Sequence, residues 1–462
     1  VNRVYGDTSD HLPAYGVVKG KVVESKDRVH TKFNYATTYP GYQPGSTFKM
    51  FTLAAALEKG LSTNTSFFSP GCVYLTNFGP NPTGGYQQCL PDVPTALGGV
   101  QPPFGVGYAN SDPAEAGIYN MAAATAYSVN TYFVQLEKKV GLGPVRDMAQ
   151  RLGVRSPTLN GPADDLGGSL TLGSHEVTPL DMATAYATIA AHGLRCYPKS
   201  VLSMTVGGKA VSYTGTPKCQ QVLKPGIADT VTSLLEGVIQ NGTGTNNGQI
   251  NRPAAGKTGT TNSNYDAWFD GYIPQLATAV WVGDGRSPTK YPLRVTATTP
   301  DGVVTNGTPN WPQYSEVFGG DLPTKIWASI MIAASANLPV LEFPPADPQT
   351  VIGVTALVPN VAGFDLASAT TVISAAGFTP VSGGGVSSGN PVGTVAYTSP
   401  GGGFQQSQGS TVTIFTSTGL PPPPPVVTKA PTTKPTAKAT TKVKTPVVKA
   451  PVVKPKARVP KR

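Results

Sequence analysis

The sequence predicts an α+β fold in which an antiparallel sheet lies between helices. Residues 1 to about 345 mix helical and strand patterns along the chain. Within them, "AAGKTGTTNSNYDAWFDGYIPQLATAVWVG" (254–283) contains a KTGT segment followed by two strong strand signals, "AWFDGYI" and "ATAVWVG". A chain of 462 residues is long enough to bury one large core and a second, smaller one beside it.

A proline-rich stretch ends the large domain. The prolines of "EFPPADPQ" (342–349) interrupt both helix and strand patterns, so we assign residues 1–348 to this domain, with its N-terminal part incomplete. Residues 352–419 form a small, nearly uncharged module rich in Val, Thr, Ser and Gly. Within this module "SATTVISAAGF" (368–378) predicts a helix, and "GTVAYTSP" and "STVTIFTST" predict strands.

Residues 420–462 are predicted to be a disordered basic tail. The tail starts at "PPPPP" and contains no aromatic residue, so it cannot bury enough apolar surface to fold. It holds eleven of the 35 Lys and Arg residues, which leaves 24 basic against 25 acidic residues elsewhere. The rest of the chain is therefore near neutral and lacks the basic surface that nucleic acid requires. The tail either attracts an anionic surface, such as a charged polymer or the lipid headgroups of a membrane, or serves as a spacer.

The cysteines favour disulfides over a metal site. Cys72, Cys89, Cys196 and Cys219 fall into two local pairs, with no CxxC and no histidine at metal-ligand spacing, so no metal is predicted. Two disulfides fit better, and they indicate an oxidising compartment outside the cytoplasm. Four cysteines allow three connectivities, and proximity alone favours Cys72 with Cys89 and Cys196 with Cys219.

The sequence contains no stretch with the roughly 18 uninterrupted apolar residues that a membrane-spanning helix needs. It begins with Val and shows no charged segment followed by an apolar one. We therefore expect the chain to be a portion of a longer protein.

The stretch "PGSTFK" (44–49) places a hydroxyl and an amine one helical turn apart. The apolar run after it predicts a helix that stops at Gly60, so Ser46 and Lys49 lie on one face of its first turn. A partly desolvated lysine has a lowered pKa and can take the proton of a serine, while the helix N-terminus favours an oxyanion. The motif alone is weak, because Ser-x-x-Lys occurs by chance in most chains of this length.

Two further motifs follow in a specific order. "AYSVNTYF" holds Ser128 and Asn130 about 80 residues after Ser46. About 130 residues later comes the KTGT segment, which consists of Lys257, Thr258, Gly259 and Thr260. The order and spacing of SxxK, SxN and KTGT match the motif set of the penicillin-recognising serine enzymes.

Beyond the motifs, about residues 30 to 335 resemble the transpeptidase domain of class A penicillin-binding proteins of the actinobacterial type. The resemblance is carried by "FNYATTYPGYQPGSTFK", "SVNTYFVQLEKKVG", "TPLDMATAYATIAAHG" and the KTGT stretch quoted above. The module at 352–419 resembles a PASTA domain, through "VPNVAGFDLASATTVISAAGF" and "GTVAYTSPGGG". The resemblance implies a five-stranded antiparallel sheet flanked by helices, plus a small α+β PASTA domain.

The resemblance also implies a role for each residue of the first two motifs. Ser46 would be acylated by the D-alanyl-D-alanine end of a peptidoglycan stem peptide, or by a β-lactam, with Lys49 as its base. Ser128 would relay the proton to the leaving D-alanine, and Asn130 would hold Lys49 and the substrate amide. Lys257 would support this relay electrostatically.

The rest of the KTGT segment would bind the substrate. Thr258 and Thr260 would bind the terminal carboxylate, and the backbone N–H groups of Ser46 and Thr260 would form an oxyanion hole. A glycine at position 259 is also expected on physical grounds, independently of the resemblance, because a side chain there would obstruct a ligand that pairs alongside the strand. An amine from a neighbouring stem peptide would then attack the acyl-enzyme and close the cross-link.

The predicted function is therefore that of a D,D-transpeptidase at the extracytoplasmic face of the bacterial cell membrane, anchored there in its full length. A glycosyltransferase cannot fit before Ser46, so glycan polymerisation is not predicted for this chain. A D,D-carboxypeptidase or β-lactamase is one alternative, although ExxLN, the deacylation signature of class A β-lactamases, does not occur. A non-catalytic receptor for wall fragments or β-lactams is the other.

Three other features receive structural interpretations. "NGTGTNNG" (241–248) is predicted to be a flexible turn, with a cleft rim as the alternative. "GKT" (256–258) lacks the earlier glycine of a phosphate loop, and no cofactor is predicted. The absence of charge in the module at 352–419 favours a spacing role over the binding of an anionic peptide.

Overall fold

The structure of this chain is a computed structural model. It describes residues 34–75, 78, 106–199, 201, 203–211, 218–283, 293–296, 304–306 and 314–419, together with the short strands at 4–5, 15–18, 21–24 and 30–31. The predicted basic tail lies outside the described residues.

The described residues form an α+β fold. The helices are α1 (Lys49–Glu58), α2 (Met121–Tyr127), α3 (Asn130–Val140), α4 (Leu142–Leu152), α5 (Pro179–Ala190), α6 (Pro225–Gln240), α7 (Leu322–Ser335), α8 (Pro348–Ile352) and α9 (Leu366–Ala375). The strands up to α6 are β1 (Val4–Tyr5), β2 (Tyr15–Val18), β3 (Lys21–Glu24), β4 (His30–Thr31), β5 (Phe67–Ser69), β6 (Cys72–Leu75), β7 (Val106–Ala109), β8 (Gly117–Tyr119), β9 (Leu194–Arg195), β10 (Met204–Val206), β11 (Lys209–Val211) and β12 (Gln220–Gln221). The strands after α6 are β13 (Ala255–Thr260), β14 (Asp266–Ile273), β15 (Leu276–Gly283), β16 (Leu293–Thr296), β17 (Val304–Asn306), β18 (Tyr314–Glu316), β19 (Thr355–Leu357), β20 (Thr379–Val386), β21 (Val395–Ser399), β22 (Gln405–Ser407) and β23 (Thr411–Ser417).

The central sheet is antiparallel, with the order β13-β14-β15. Every residue of β14 is buried, because the sheet is covered on both faces. Trp268 and Tyr272 pack into the main helical core, whereas Phe269 and Ile273 pack on the other face against Trp327 of α7. This alternation is the period of two that a strand imposes, and it confirms the strand prediction for 254–283.

Three of the five strands predicted for the central sheet are hydrogen-bonded together in the described part of the chain. Strands β2 and β3 form an antiparallel hairpin in which Tyr15 lies opposite Glu24. A second three-stranded sheet has the order β17-β16-β18.

Helix α1 lies inside the large domain. Nine of its ten residues are buried, and Glu58 at its end is the exposed one. The helix stops where the sequence predicts, because Gly60 adopts a φ of +82° and the amide of Leu61 donates to the carbonyl of Ala56. A helix this apolar is held by packing on all sides, so the residues in its first turn are fixed.

The module at 352–419 has a core of its own. Helix α9 packs on a sheet in which β23 lies between β20 and β21, parallel to the first and antiparallel to the second. The helix and both strands predicted for this module are thus confirmed. The core residues are Val358, Val361, Ala369, Ile373, Phe378, Val395, Val412 and Ile414.

The module is docked on the segment 60–66, which directly follows α1. The hydroxyl of Thr379 donates to the carbonyl of Ser66 at 2.8 Å, and the amide of Ser66 donates to the carbonyl of Gly409 at 2.9 Å. At the other end of the segment, the amide of Val354 donates to the carbonyl of Gly60 at 2.8 Å. The module is therefore bonded to the large domain, which a spacing role alone does not require.

One predicted disulfide is present and the other lies partly outside the described residues. Cys196 and Cys219 are joined, which confirms this pairing. Cys72 is also disulfide-bonded, but its predicted partner Cys89 is not described. None of the described helices combines the length and the apolar character needed to cross a membrane.

We expect Thr379→Val to loosen the docked module, because it removes the hydrogen bond to Ser66. Amide hydrogen exchange in segment 60–66 should accelerate by about fivefold, the factor that corresponds to a loss of roughly 1 kcal/mol. Thr371→Val is the matched control, since the Thr371 hydroxyl bonds within its own helix. Unchanged exchange at 60–66 in the first variant would refute this account of the docking.

Candidate active site

Ser46 lies in a 3-10 turn, Gly45–Phe48, that leads directly into α1. Gly45 has a φ of +58°, a conformation that favours glycine and lets the chain turn just before the serine. Thr47 and Phe48 are fully buried, whereas Ser46 is partly exposed. The hydroxyl therefore belongs to the one residue of this turn that solvent, and hence a ligand, can reach.

The amine of Lys49 connects the first motif to the second. Its Nζ lies 2.6 Å from the Oδ1 of Asn130, 2.6 Å from the carbonyl oxygen of Ser128 and 3.1 Å from the Ser128 Oγ. Within the described residues its hydrogen bonds go to these two residues and not to Ser46. The ring of Phe133 lies 5.2 Å from the Nζ and closes the apolar side of this site.

The environment of Lys49 favours a neutral amine. Burial holds the pKa of Lys49 well below its usual value, and the charge of Lys257 lowers that pKa further, whereas Glu115 opposes the shift. A neutral amine has two hydrogens and one lone pair. The Ser128 carbonyl and the Asn130 Oδ1 can only accept, so they use both hydrogens and leave the lone pair for a hydroxyl.

Ser128 and Asn130 are placed by a sharp connection between two helices. Helix α2 ends at Tyr127 and α3 begins at Asn130, and Ser128 between them has the left-handed values φ 61° and ψ 35°. A non-glycine residue in this region costs of order 1–3 kcal/mol and is typical of functional sites. The amide of Asn130 is fixed in turn, because its Nδ2 donates to the carbonyl of Ala109 at 2.9 Å.

The KTGT segment lies in β13, which is an edge strand of the central sheet as far as the structure describes that sheet. The alternation of the strand puts Thr258 and Thr260 on one face and Lys257 and Gly259 on the other. A Cβ added at Gly259 would lie 2.3 Å from the carbonyl oxygen of Pro44 and 2.9 Å from the Cγ2 of Thr47. The glycine therefore permits contact with the turn that carries the serine, a reason additional to the predicted one, which was room for a ligand.

The same close packing brings the backbone of Thr260 to the serine's turn. A Cβ built on Gly45 would lie 2.8 Å from the backbone nitrogen of Thr260. On the other side of the turn, a Cβ on Gly173 would lie 2.3 Å from the carbonyl oxygen of Gly45. The two backbone amides expected to form the oxyanion hole, those of Ser46 and Thr260, thus belong to neighbouring segments.

Lys257 is fully buried, and burial lowers its pKa to about 7. Its Nζ donates to the carbonyl of Thr258 at 3.2 Å. The Thr258 hydroxyl lies 2.6 Å from that of Thr243, and the Thr260 hydroxyl accepts from the amide of Gly319 at 2.9 Å. Both threonine hydroxyls are thereby held in place.

Sequence reasoning missed the partners that hold the motif residues. The carbonyl of Ala109 and the amide of Gly319 have no side-chain signal in the sequence. Thr243 did have a signal in the sequence, because it lies in "NGTGTNNG". The rim of a cleft was the less favoured interpretation of that stretch. The structure supports that alternative, since this turn touches β13 through Thr243.

The fold and the site together define a penicillin-binding transpeptidase with an added small domain. Residues 17–88 and 98–298 match the family model "Penicillin binding protein transpeptidase domain", and residues 357–418 match the model "PASTA domain". The first match covers more than half of the chain, so the chain belongs to the penicillin-binding protein transpeptidase family.

Several named proteins are similar to this chain. Penicillin-binding protein 1A of Mycobacterium tuberculosis is 30% identical over 66% of this chain, and that of Mycolicibacterium smegmatis is 31% identical over 66%. The chain spans about a third of the length of these relatives, 33% and 35%.

The solved structure of the penicillin-binding protein PonA1 from M. tuberculosis is 28% identical, with a TM-score of 0.51, and the match covers 69% of this chain and 75% of that one. PonA1 has also been solved in complex with penicillin V, and this structure gives 28% identity and a TM-score of 0.50 over 70% and 76% of the two chains. These similarities support the α+β transpeptidase fold.

The depressed pKa of Lys257 predicts a pH-dependent stability. Between pH 7 and about 10 the folded state holds Lys257 neutral while the unfolded state binds its proton, so stability rises with pH. Relative to Lys257→Met, the wild type should gain about 1.4 kcal/mol in free energy of unfolding per pH unit over this range, and nothing below pH 7.

Urea unfolding at a series of pH values measures this difference. Lys325→Met, at an exposed position on α7, serves as the control and should show no such slope. A constant difference between wild type and Lys257→Met from pH 6 to 10 would contradict the assignment of a neutral buried amine.

Proposed function

We propose that this chain is a serine D,D-transpeptidase that cross-links peptidoglycan stem peptides through an acyl-enzyme on Ser46. The observation that carries this proposal is the arrangement of the Lys49 amine, which is buried and donates to Ser128 and Asn130. An amine in this state is a base. A seryl hydroxyl one helical turn away is the group that needs one.

Acylation follows from this arrangement. Lys49 takes the proton of the Ser46 hydroxyl as the Oγ bonds to the carbonyl carbon of the penultimate D-alanine. The tetrahedral intermediate collapses as the C–N bond to the terminal D-alanine breaks. The leaving nitrogen takes the proton of the Ser128 hydroxyl. That hydroxyl lies 3.1 Å from the Lys49 Nζ and takes a proton from it in turn.

The second half of the reaction transfers the acyl group. An amine of a neighbouring stem peptide attacks the ester carbon and loses a proton to the same Lys49 and Ser128 pair. The C–O bond to Ser46 then breaks, and the Ser46 oxygen takes that proton from Lys49. During acylation, strand β13 orients the donor peptide, with Thr258 and Thr260 on the carboxylate of the terminal D-alanine, which departs with that residue. The amides of Ser46 and Thr260 stabilise the oxyanion, the term that is usually the largest in acyl transfer.

A β-lactam follows the same path as far as the ester. Its amide bond is opened by Ser46, but the leaving nitrogen remains tethered to the acyl group. We place the reaction on the extracytoplasmic side of the membrane, where the substrate and the oxidising conditions for the Cys196–Cys219 disulfide both occur. The basic tail would attract an anionic wall polymer or lipid surface.

We expect penicillin to leave a long-lived adduct on Ser46, measured as a mass increase of the intact chain and located by peptide mapping. Ser46→Ala should give no adduct. Rapid loss of the adduct with release of hydrolysed penicillin would instead favour a β-lactamase. Release of D-alanine without dimer formation from lipid-linked precursor polymer would favour a carboxypeptidase, and no reaction with that polymer would favour a receptor.

We expect Lys49→Met to slow acylation of Ser46 by about 10²–10⁴-fold, the usual contribution of a positioned general base. Stopped-flow measurement of the second-order acylation constant with a chromogenic cephalosporin provides the number. Lys139→Met, at an exposed position on α3, is the control. A loss below about threefold would rule Lys49 out as the base.

A further inference from the structure

The turn 241–248 joins α6 to the segment before β13, and one of its residues bonds directly to the KTGT strand. The hydroxyl oxygen of Thr243 lies 2.6 Å from that of Thr258, a short distance for two neutral hydroxyls. Thr258 is only 5% exposed, whereas Thr243 is exposed. The Thr243 hydroxyl is thus bonded to that of Thr258 and belongs to the more exposed of the two residues.

The turn that carries Thr243 is hydrogen-bonded to two elements, helix α2 and the segment between β18 and α7. The amide of Thr243 donates to the carbonyl of Ala126 at 3.0 Å, two residues before Ser128. A Cβ on Gly242 would lie 2.2 Å from that same carbonyl oxygen. Across the cleft, the Nδ2 of Asn247 donates to the carbonyl of Gly320 at 2.8 Å. The backbone from which the Thr243 side chain projects is therefore held in place.

The direction of each hydroxyl proton decides whether a carboxylate can bind. A carboxylate only accepts, so each threonine of the subsite must aim its single hydroxyl proton at the ligand. Thr260 meets this condition, because its oxygen accepts from the amide of Gly319 and its proton remains available. The Thr258 oxygen has two groups from which it can accept in the same way, the Thr243 hydroxyl at 2.6 Å and the Lys257 Nζ at 3.5 Å, and the hydroxyl is much the closer.

We propose that Thr243 is a positioning residue of the carboxylate subsite, which donates to the Thr258 hydroxyl and thereby directs the Thr258 proton to the carboxylate of the ligand. This inference rests on the proposed function, in which Thr258 binds that carboxylate. It adds a third hydroxyl to the subsite and a specificity role to the turn 241–248.

A merely structural role for Thr243 predicts a different result. If the turn only braced the cleft, removal of the hydroxyl would slow the reaction of every ligand to the same degree. If the hydroxyl orients Thr258, the loss falls on ligands that carry a carboxylate. A pair of ligands that differ in this one group separates the two roles.

The experiment compares a penicillin with its methyl ester as acylating agents of Ser46, with second-order acylation constants measured by intact-chain mass spectrometry. Thr243→Val removes the hydroxyl but keeps the branched shape and the hydrogen bond from the backbone N–H to the carbonyl of Ala126. Thr243→Ser keeps a hydroxyl at this position. Thr245→Val is the matched control, because the Thr245 hydroxyl donates to the carbonyl of Gly242 within the same turn. Thr243→Ala removes the hydroxyl a second way, should the valine variant not fold.

We expect Thr243→Val and Thr243→Ala to lower the constant for the free acid about tenfold, the worth of one good hydrogen bond, and to change the constant for the ester by less than about twofold. Thr243→Ser and Thr245→Val should behave as the wild type with both ligands. An equal loss for acid and ester, or no loss for the acid, overturns the inference while leaving the proposed function intact. A wild type that neither ligand acylates overturns the proposed function, and this inference with it.

Discussion

The site depends on one buried amine. Lys49 is fully enclosed, and its proton count follows from its surroundings: burial and the nearby Lys257 both disfavour the ammonium form. The acceptors supplied by Ser128 and Asn130 match the two hydrogens of a neutral amine. The left-handed backbone of Ser128 makes this match possible, because it turns both the carbonyl and the hydroxyl of one residue towards the same nitrogen.

The second constraint is the close approach of two segments, the turn that carries Ser46 and strand β13. The serine's turn touches strand β13 through glycines, since an added Cβ at Gly259 would lie 2.3 Å from the Pro44 carbonyl oxygen and one at Gly45 would lie 2.8 Å from the Thr260 backbone. Any side chain at these positions would push the strand away from Ser46. This close approach is what brings strand β13 next to the turn that carries Ser46.

The sequence was sufficient for the parts of this protein that are local. The helix that ends at Gly60, the strands at 254–283 and the helix of the small module follow from periodicity and from glycine. The motifs identified Ser46 and Lys49 because their chemistry is carried by neighbours in the chain. The contacts of Asn130 with Ala109 and of Thr243 with Thr258 depend on how separate elements pack, and no local pattern reports them. The contact of Gly259 with the turn that carries Ser46 went unpredicted for the same reason.

The docked module shows how far such packing reaches beyond the motifs. The segment 60–66 that it contacts also accepts from the hydroxyl of Tyr132, through the carbonyl of Thr65 at 2.7 Å, and from the amide of Met121, through the carbonyl of Thr63 at 3.1 Å. Tyr132 lies two residues after Asn130, and Met121 begins the helix that ends beside Ser128. The acceptors are backbone carbonyls, so a movement of the segment would break these hydrogen bonds. A single segment is therefore hydrogen-bonded both to the small module and to the two helices that supply the partners of Lys49.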